Sequence, residues 1–497
     1  MTKVLKVLLV YPEVPETFWS FKHALKFISK KSAFPPLGLI TVAAMLPDAW
    51  EKRLLDMNVE PISDEDILWA DYVFISAMVV QKQSVRKVID RCKKLNIKTV
   101  AGGPLFSCDY TEFDDVDHLL LNEGEITIPA FLKDLESGCP KHIYDEEEWA
   151  DLSNTPAPLW SLVNVKKYAS LNIQYSRGCP YNCEFCNITT LFGLIPRTKS
   201  ADQIIQELDV IYDMGWRGGI FFVDDNFIGN KVKLKKEVLP ELIKWMENKG
   251  YPFSFQTEVS LNLADDDELM DMLVKAGFVT VFIGIETVDE NSLEECNKIQ
   301  NKNRDLAECV KRIHRKGIEV QGGFIIGFDN DKETIFNRMI NFIQNTGIVT
   351  AMVGLLNAPK GTLLYKRLED EGRITESFTG DNTDFTMNFA PKMDVNTLKH
   401  GYKQIVNTIY SPKYFYERVT VFLKDYYPNK LGKVHISINE IGAFIKANFK
   451  LGFIGKERKY YWKLFFWSLF KRPELLPKAI TFSIYGYHFR KVFEKNS

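Results

Sequence analysis

Over the first 140 residues, short apolar runs alternate with stretches whose apolar side chains recur every three or four positions. Val4–Val10, Arg53–Asp56, Tyr72–Ser76, Thr99–Ala101 and His118–Asn122 read as strands, each closing in loop formers such as Tyr11-Pro12, Gly102-Gly103-Pro104 or Glu123-Gly124-Glu125. That alternation predicts an α/β fold whose residues 1–140 form a doubly wound, Rossmann-like parallel sheet. Phe34-Pro35-Pro36-Leu37-Gly38-Leu39 opens one of its helices. Residues 141–165, with the acidic run Asp145-Glu146-Glu147-Glu148 and with Pro156 and Pro158, break the pattern and read as a linker.

From 166 to 365 strand and helix patterns repeat. The strand candidates are Leu171–Tyr175, Gly219–Val223, Phe253–Glu258, Val279–Ile283, Val320–Ile326 and Thr350–Leu356. The first helix between them starts with the capping pair Ser200 and Gln203 and carries Ile204, Ile205, Leu208 and Ile211 on one stripe. Six such units predict a partial (β/α)6 barrel, with its active site at the strand C-terminal ends. Beyond Lys360-Gly361-Thr362 helical patterning takes over, so 366–497 is expected to be a helical C-terminal appendage.

Composition changes this picture little. Apolar content of 45% and charged content of 26% over 497 residues fit a soluble globular protein. A net charge of −2, with no basic strip placed for stacking bases, gives no argument for nucleic acid. Cys92, Cys108, Cys139, Cys296 and Cys309 show no ligand spacing and read as buried thiols of a reducing cytoplasm. The run Met1–Val10, halted by Pro12, reads as a strand and not a secretory signal. The uncharged span Asn341–Pro359 is too polar for a membrane helix. His23, His118, His142, His314, His400, His435 and His488 are scattered and read as structural. The last fifty residues hold 11 Lys or Arg against three Glu, interleaved with Tyr460, Tyr461, Trp462, Phe465, Phe466, Trp467 and Phe470. Such a tail either packs on the barrel or seats the protein on an anionic bilayer.

The chemistry concentrates in Gly178-Cys179-Pro180-Tyr181-Asn182-Cys183-Glu184-Phe185-Cys186, directly after a barrel strand. Three thiols at this spacing can fold around one iron–sulfur cluster, and a 4Fe–4S cube with three cysteine ligands keeps one iron open. A structural zinc site wants four ligands, and a disulfide would leave one thiol over. With Phe185 at the aromatic position, the motif resembles the signature of the radical S-adenosylmethionine (SAM) superfamily. There the open iron chelates the amino and carboxylate groups of SAM, and an electron from the cluster cleaves it to methionine and a 5′-deoxyadenosyl radical.

The resemblance implies a SAM site built from Phe185, from Asp224-Asp225-Asn226 in the place of the family's Gly-Gly-Glu, and from Glu258 facing the ribose. Gly284 and Glu286 end the fourth strand, and Gly323, Ile325 and Gly327 resemble the segment beside the adenine. The N-terminal domain looks like the cobalamin-binding domain preceding many radical SAM cores, which implies contacts at Gly38, Gly102, Gly103, Glu123 and Gly124. Where a histidine-ligating domain carries Asp-x-His-x-x-Gly, this chain has Asp56-Met57-Asn58-Val59-Glu60, so no protein nitrogen would reach cobalt.

Tyr175-Ser176-Arg177-Gly178-Cys179-Pro180, Phe222-Val223-Asp224-Asp225-Asn226 and Ile325-Ile326-Gly327-Phe328-Asp329 are similar to the hopanoid C-2 methylase and bacteriochlorophyllide methyltransferase group of cobalamin-dependent (class B) radical SAM enzymes. The resemblance implies a C-methyltransferase that moves a methyl from SAM through cobalamin to an unactivated carbon of a hydrophobic polycyclic substrate, a hopanoid lipid or a tetrapyrrole. It also implies a flavodoxin- or ferredoxin-type reductant, while the cysteine usage points to a cytoplasmic enzyme and the basic, aromatic tail to peripheral membrane association. A radical SAM cyclase or oxidoreductase would use the same parts without methyl transfer. A corrinoid-binding sensor would keep the cluster as structure only.

Overall fold

The computed structural model describes residues 4–146, 148–381, 383–429, 431–432 and 438–495. Glu147 and His435, read above as part of an acidic connector and as a structural histidine, lie outside them.

Two six-stranded parallel sheets organise the chain. The first holds β1 (Lys6–Tyr11), β2 (Glu51–Asp56), β3 (Tyr72–Ser76), β4 (Lys98–Gly102), β5 (His118–Leu120) and β6 (Ile143–Tyr144) in the order β2-β1-β3-β4-β5-β6. Five of these strands match the expected runs to within a few residues. The sixth comes from the segment expected as a linker: β6 pairs with β5, and Trp160 beyond it is buried in the barrel's core. Two residues of strand are too short to announce themselves between prolines and acids.

The second sheet runs β14-β13-β12-β11-β10-β7, with β7 (Leu171–Ile173), β10 (Gly218–Phe222), β11 (Phe253–Glu258), β12 (Phe278–Glu286), β13 (Glu319–Ile326) and β14 (Ala351–Leu355). Every neighbouring pair is parallel, and β7 and β14 are the unpaired edges, so the barrel is partial. A short antiparallel pair, β8 (Ser176–Arg177) with β9 (Arg197–Thr198), stands above β7. The helix Ala201–Asp213 has the expected reciprocal Ser200–Gln203 cap, and Ile204, Leu208 and Ile211 are buried against the strands. Each such side chain contributes about 1.5–3 kcal/mol on leaving water.

Alternation along the strands sorts the barrel's two faces. Ile220, Phe222, Phe255, Val281, Ile283, Phe324 and Val353 pack into the core. The alternate positions, among them Phe221, Gln256, Glu258, Thr280, Phe282, Gln321 and Met352, look into the bore and remain partly accessible.

The C-terminal appendage is helical, ending in Arg458–Lys471 and Leu476–Lys495. The second of these packs Phe482, Ile484, Phe489 and Phe493 into the barrel's core cluster. No helix among the described residues is long and apolar enough to cross a membrane.

Candidate active site at the barrel strand ends

The three-thiol loop is held open by β8 and β9. Gly178 sits at φ +94°, and a side chain there would meet the carbonyl oxygens of Phe192, Gly193 and Ile195 at 3.0 Å, so only glycine fits. The Cys179 amide donates to the Gly193 carbonyl at 3.3 Å, and the Cys186 amide to the Cys183 carbonyl at 3.1 Å. From the far side the β12 connection clasps the loop. The Glu184 amide donates to the Cys296 carbonyl at 3.0 Å and Asn297 Nδ2 to the Asn182 carbonyl at 2.8 Å.

Among the described residues no three His, Cys, Asp or Glu side chains converge on the position of a single metal ion. A cube does not ask for that, since each cysteine takes its own iron. The three thiols do share one electrostatic neighbourhood. Burial, reinforced by the other two sulfurs, pushes Cys186 up to about 12, and burial raises Cys179 as well. Gln300 Nε2 lies 3.7 Å from Cys183 Sγ and Asn226 Nδ2 3.8 Å from Cys179 Sγ, the weak donors that thiolate ligands of a cluster receive. Lys298 adds a cation. Burial opposes its charge, but Glu286 at 2.7 Å and the neighbouring thiols raise its pKa above the ordinary lysine range. Donor type, number and compensating charge therefore fit a cluster held by three thiolates.

The acidic side chains at the strand ends divide. Asp224 is buried and accepts from the amides of Tyr175 and Ser176 and from the Ser176 hydroxyl, so it ties β10 to the turn after β7. Asp225 accepts from the Gly178 amide at 3.3 Å, and Glu258 has no donor among the described residues. Burial pushes Asp224 up to about 7, Asp225 to about 6 and Glu258 to about 8, with mutual repulsion adding to the rise for Asp224 and Glu258. Glu286 has a positive φ of 65° and turns back to Lys298. A side chain at Gly284 would collide with the Glu286 carboxylate, and one at Gly323 would meet the Phe282 ring at 2.7 Å. Gly327, at φ +106°, donates its amide to Asp331 at 2.9 Å. Phe185 packs with Phe328, Ile325 and Cys296 in a small cluster beside the loop.

The clasp residues Cys296, Asn297, Lys298 and Gln300 escaped the sequence reading. Cys296 is buried against the site and Cys92 is buried too, but Cys108 and Cys309 are half-buried and Cys139 is exposed, contrary to the expectation that all five spare cysteines are buried. The one available signal was a polar Asn-Lys-Ile-Gln-Asn run after a barrel strand, where such loops carry function.

The N-terminal sheet presents a different edge. Asn58, at the position a cobalt-ligating histidine would take, donates its side chain to Asp56 and to the Pro12 carbonyl. Gly38, at the start of the helix Leu37–Met45, opens onto free space, and Gly103 is at φ +91°. A flat macrocycle would be offered backbone and room there, with no nitrogen for its metal. Glu123 is engaged elsewhere: Arg177 and Arg197 reach it at 2.8 and 2.7 Å, and the Ala150 amide donates to it at 2.7 Å. Gly102 is pressed against the Leu120 carbonyl, and Gly124 against Ile128.

Residues 173–343 match the radical SAM superfamily, 27–132 the B12 binding domain, and 362–497 a domain of unknown function. An uncharacterised methyltransferase of Synechocystis sp. is 38% identical over 98% of this chain and 91% of its own length. The hopanoid C-2 methylase of Rhodopseudomonas palustris is 34% identical over 90% of this chain and 84% of its own. The radical SAM methyltransferase TsrM of Kitasatospora setae, solved with cobalamin and a [4Fe-4S] cluster bound, has the same fold at a TM-score of 0.61 and 13% identity, covering 99% of this chain and all of that one.

Proposed function

The chain belongs to the cobalamin-dependent radical SAM methyltransferases, and we propose that it transfers a methyl group from SAM to an unactivated carbon of a hydrophobic polycyclic molecule. The cofactors are a 4Fe–4S cluster, SAM and cobalamin. They supply the electron that splits SAM, the radical that removes hydrogen from the substrate carbon, and the methyl that replaces it. The protein's part is placement.

In this reading Cys179, Cys183 and Cys186 hold the cluster, and Lys298 offsets part of their negative charge. Asp225, Asn226 and Glu258 bind the amine and ribose hydroxyls of SAM, beside the backbone of Gly284 and Gly327. Gly38 leaves room for the corrinoid, and the Gly102-Gly103 turn presents backbone to it. Residues 1–140 bind cobalamin, 166–365 carry the radical chemistry, and 366–497 complete the substrate side. A reductant of flavodoxin or ferredoxin type feeds the cluster. The observation that carries this is the coincidence of three thiols in one loop with Glu258, a carboxylate without a donor among the described residues, at the same strand ends.

Peripheral membrane contact belongs to the same proposal, for an enzyme resident in the cytoplasm. Ile445, Phe449, Phe453, Ile454, Phe466 and Phe470 are all exposed, Phe470 by 76%, on neighbouring helices with Lys456, Lys459 and Lys463 also exposed. Such a surface suits an anionic bilayer from which an apolar substrate is drawn.

The test is incubation of the anaerobically reconstituted protein with methyl-labelled SAM, a low-potential reductant and lipid or tetrapyrrole extracts. Label in a polycyclic product is the expected result. Deoxyadenosine without label would point to cyclisation or oxidation, and no SAM cleavage at all would leave only a sensor.

A further inference from the structure

Trp19 hangs into the bore of the barrel. It lies on the long connection between β1 and β2, 37% exposed, with its ring edge-on to Phe282 at 5.4 Å and its indole nitrogen 3.0 Å from Met352 Sδ. The C-terminal helix Leu476–Lys495 fixes it there. Phe18 stacks on Phe489 at 4.3 Å, and His488 Nε2 lies 3.0 Å from the Phe18 carbonyl. The same connection returns on the far side of the bore. Phe34 meets Phe221 at 5.4 Å, and Asn172 Nδ2 donates to the Pro35 carbonyl.

These aromatic walls stand just below the acidic rim, since Phe282 pairs with Glu258 across β11 and β12. Of the remaining inward positions Gln256, Thr280 and Gln321 are neutral, Gly323 leaves room for the Phe282 ring, and Glu319, on the face of Gln321, is already paired with Lys478 of the C-terminal helix at 2.7 Å. No inward position of the six strands is Lys or Arg. A tetrapyrrole carrying free carboxylates would bury them beside Glu258 with no unengaged cation, since Lys298 is spent on Glu286 and Lys478 on Glu319, and a buried charge without a free partner is costly. A fused-ring hydrocarbon meets no such cost and gains from every ring face it covers.

Resting on the methyltransferase reading above, we propose that this bore is the substrate seat, that it takes a neutral polycyclic hydrocarbon, and that Trp19 is its specificity-determining wall. The helical region of unknown function then acquires a role, holding Trp19 over the barrel.

The experiment is equilibrium binding to the full-length reconstituted enzyme of a radiolabelled pentacyclic triterpene hydrocarbon, against a chlorin with a free propionate. The hydrocarbon should bind saturably and the chlorin about tenfold or more weaker. Trp19→Ala should weaken the hydrocarbon by about tenfold, the equivalent of ~1.4 kcal/mol, and Trp19→Phe should recover most of that. Equal binding of the two ligands, or wild-type affinity in Trp19→Ala, overturns the proposal. Should Trp19→Ala fold poorly by its thermal midpoint, Gln321→Lys serves instead, and it should weaken the hydrocarbon and strengthen the chlorin. No change in either overturns it too. A hydrocarbon that binds in this Trp19-dependent way yet never acquires labelled methyl supports the seat and refutes the methyl-transfer reading.

Discussion

Both parallel sheets set acidic side chains at their C-terminal edges, but where the first partners Asp56, Glu123 and Glu125, the second partners Asp224 and Glu286 and leaves Glu258 and Asp225 short of donors. On the N-terminal sheet Asp56 receives the Tyr168 hydroxyl at 2.9 Å and both nitrogens of Asn58 at 2.8 Å. Glu123 and Glu125 share Arg177, and Glu123 adds Arg197. On the barrel Glu258 has no donor among the described residues, Asp225 has one long backbone contact, and both have raised pKa values. The first rim is complete within the protein and works as a latch between domains. The second lacks donors that an ammonium group and two ribose hydroxyls would bring, and perturbed carboxyls of that kind mark binding sites. In the proposed reading a corrinoid on the first rim is held by shape and backbone, while SAM on the second meets charge.

The heaviest blow to this contrast is at the thiols. Cys183→Ala should reduce cluster iron and sulfide and take SAM cleavage to background, read by iron assay and deoxyadenosine release. Retained cleavage would mean that the loop does not hold the cluster. Next comes the latch. Arg177→Met removes the cation and leaves Glu123 and Glu125 buried with less compensation, an effect of about 3–5 kcal/mol on unfolding free energy. A denaturant midpoint unchanged from wild type would show that the first rim does not bind the domains together.

Glu258 tests the second rim through pH. Its carboxyl is raised from 4.5 to about 8 in the folded protein, so the folded state binds more protons than the unfolded one between those values. Stability of the SAM-free protein should therefore fall as pH rises through that window, at up to about 1.4 kcal/mol per pH unit from this group. Glu258→Gln should flatten the fall, stabilise the SAM-free protein at pH 8, and weaken SAM binding about tenfold by calorimetry. A variant whose pH profile matches wild type would assign the strain to Asp224 and Asp225 instead.

The division between what the sequence exposes and what it hides follows the range of the interactions. Period-two and period-3.6 patterns are local, so eleven of the twelve strands of the two sheets are readable, and Ser200 with Gln203 marks a helix start that the fold keeps. β6 is two residues long and exists because β5 is there to pair with it. The cysteine loop is legible because its three ligands are contiguous. Lys298, 112 residues beyond Cys186, is not, and neither is the Arg177–Glu123 latch, because only folding brings those partners together. Asp224 shows the converse: its position in the chain suggested a ligand contact, while its side chain faces backbone amides. Trp19 carries no signal at all until the C-terminal helix is seen to hold Phe18.

The same logic of unmet groups extends from charge to apolar surface, with the smallest expected effect. Tyr461 and Leu464 on the helix Arg458–Lys471 are buried, whereas Phe466 and Phe470 on its other side are 48% and 76% exposed. That helix thus satisfies one face against the protein and leaves the other in water, beside exposed lysines. If a bilayer covers it, Phe470→Ala should lower partitioning onto vesicles containing anionic lipid by about fivefold to tenfold, ~1–1.4 kcal/mol, part of the burial of one phenyl ring. Binding should weaken further as salt shortens the range of the lysine charges, and should be poor on purely zwitterionic vesicles. SAM cleavage in detergent should be unchanged in that variant, because the ring lies on the C-terminal helices and not in the bore. Sedimentation with vesicles reads the three partitioning outcomes and deoxyadenosine release the fourth, and equal partitioning of variant and wild type would remove the bilayer from that face.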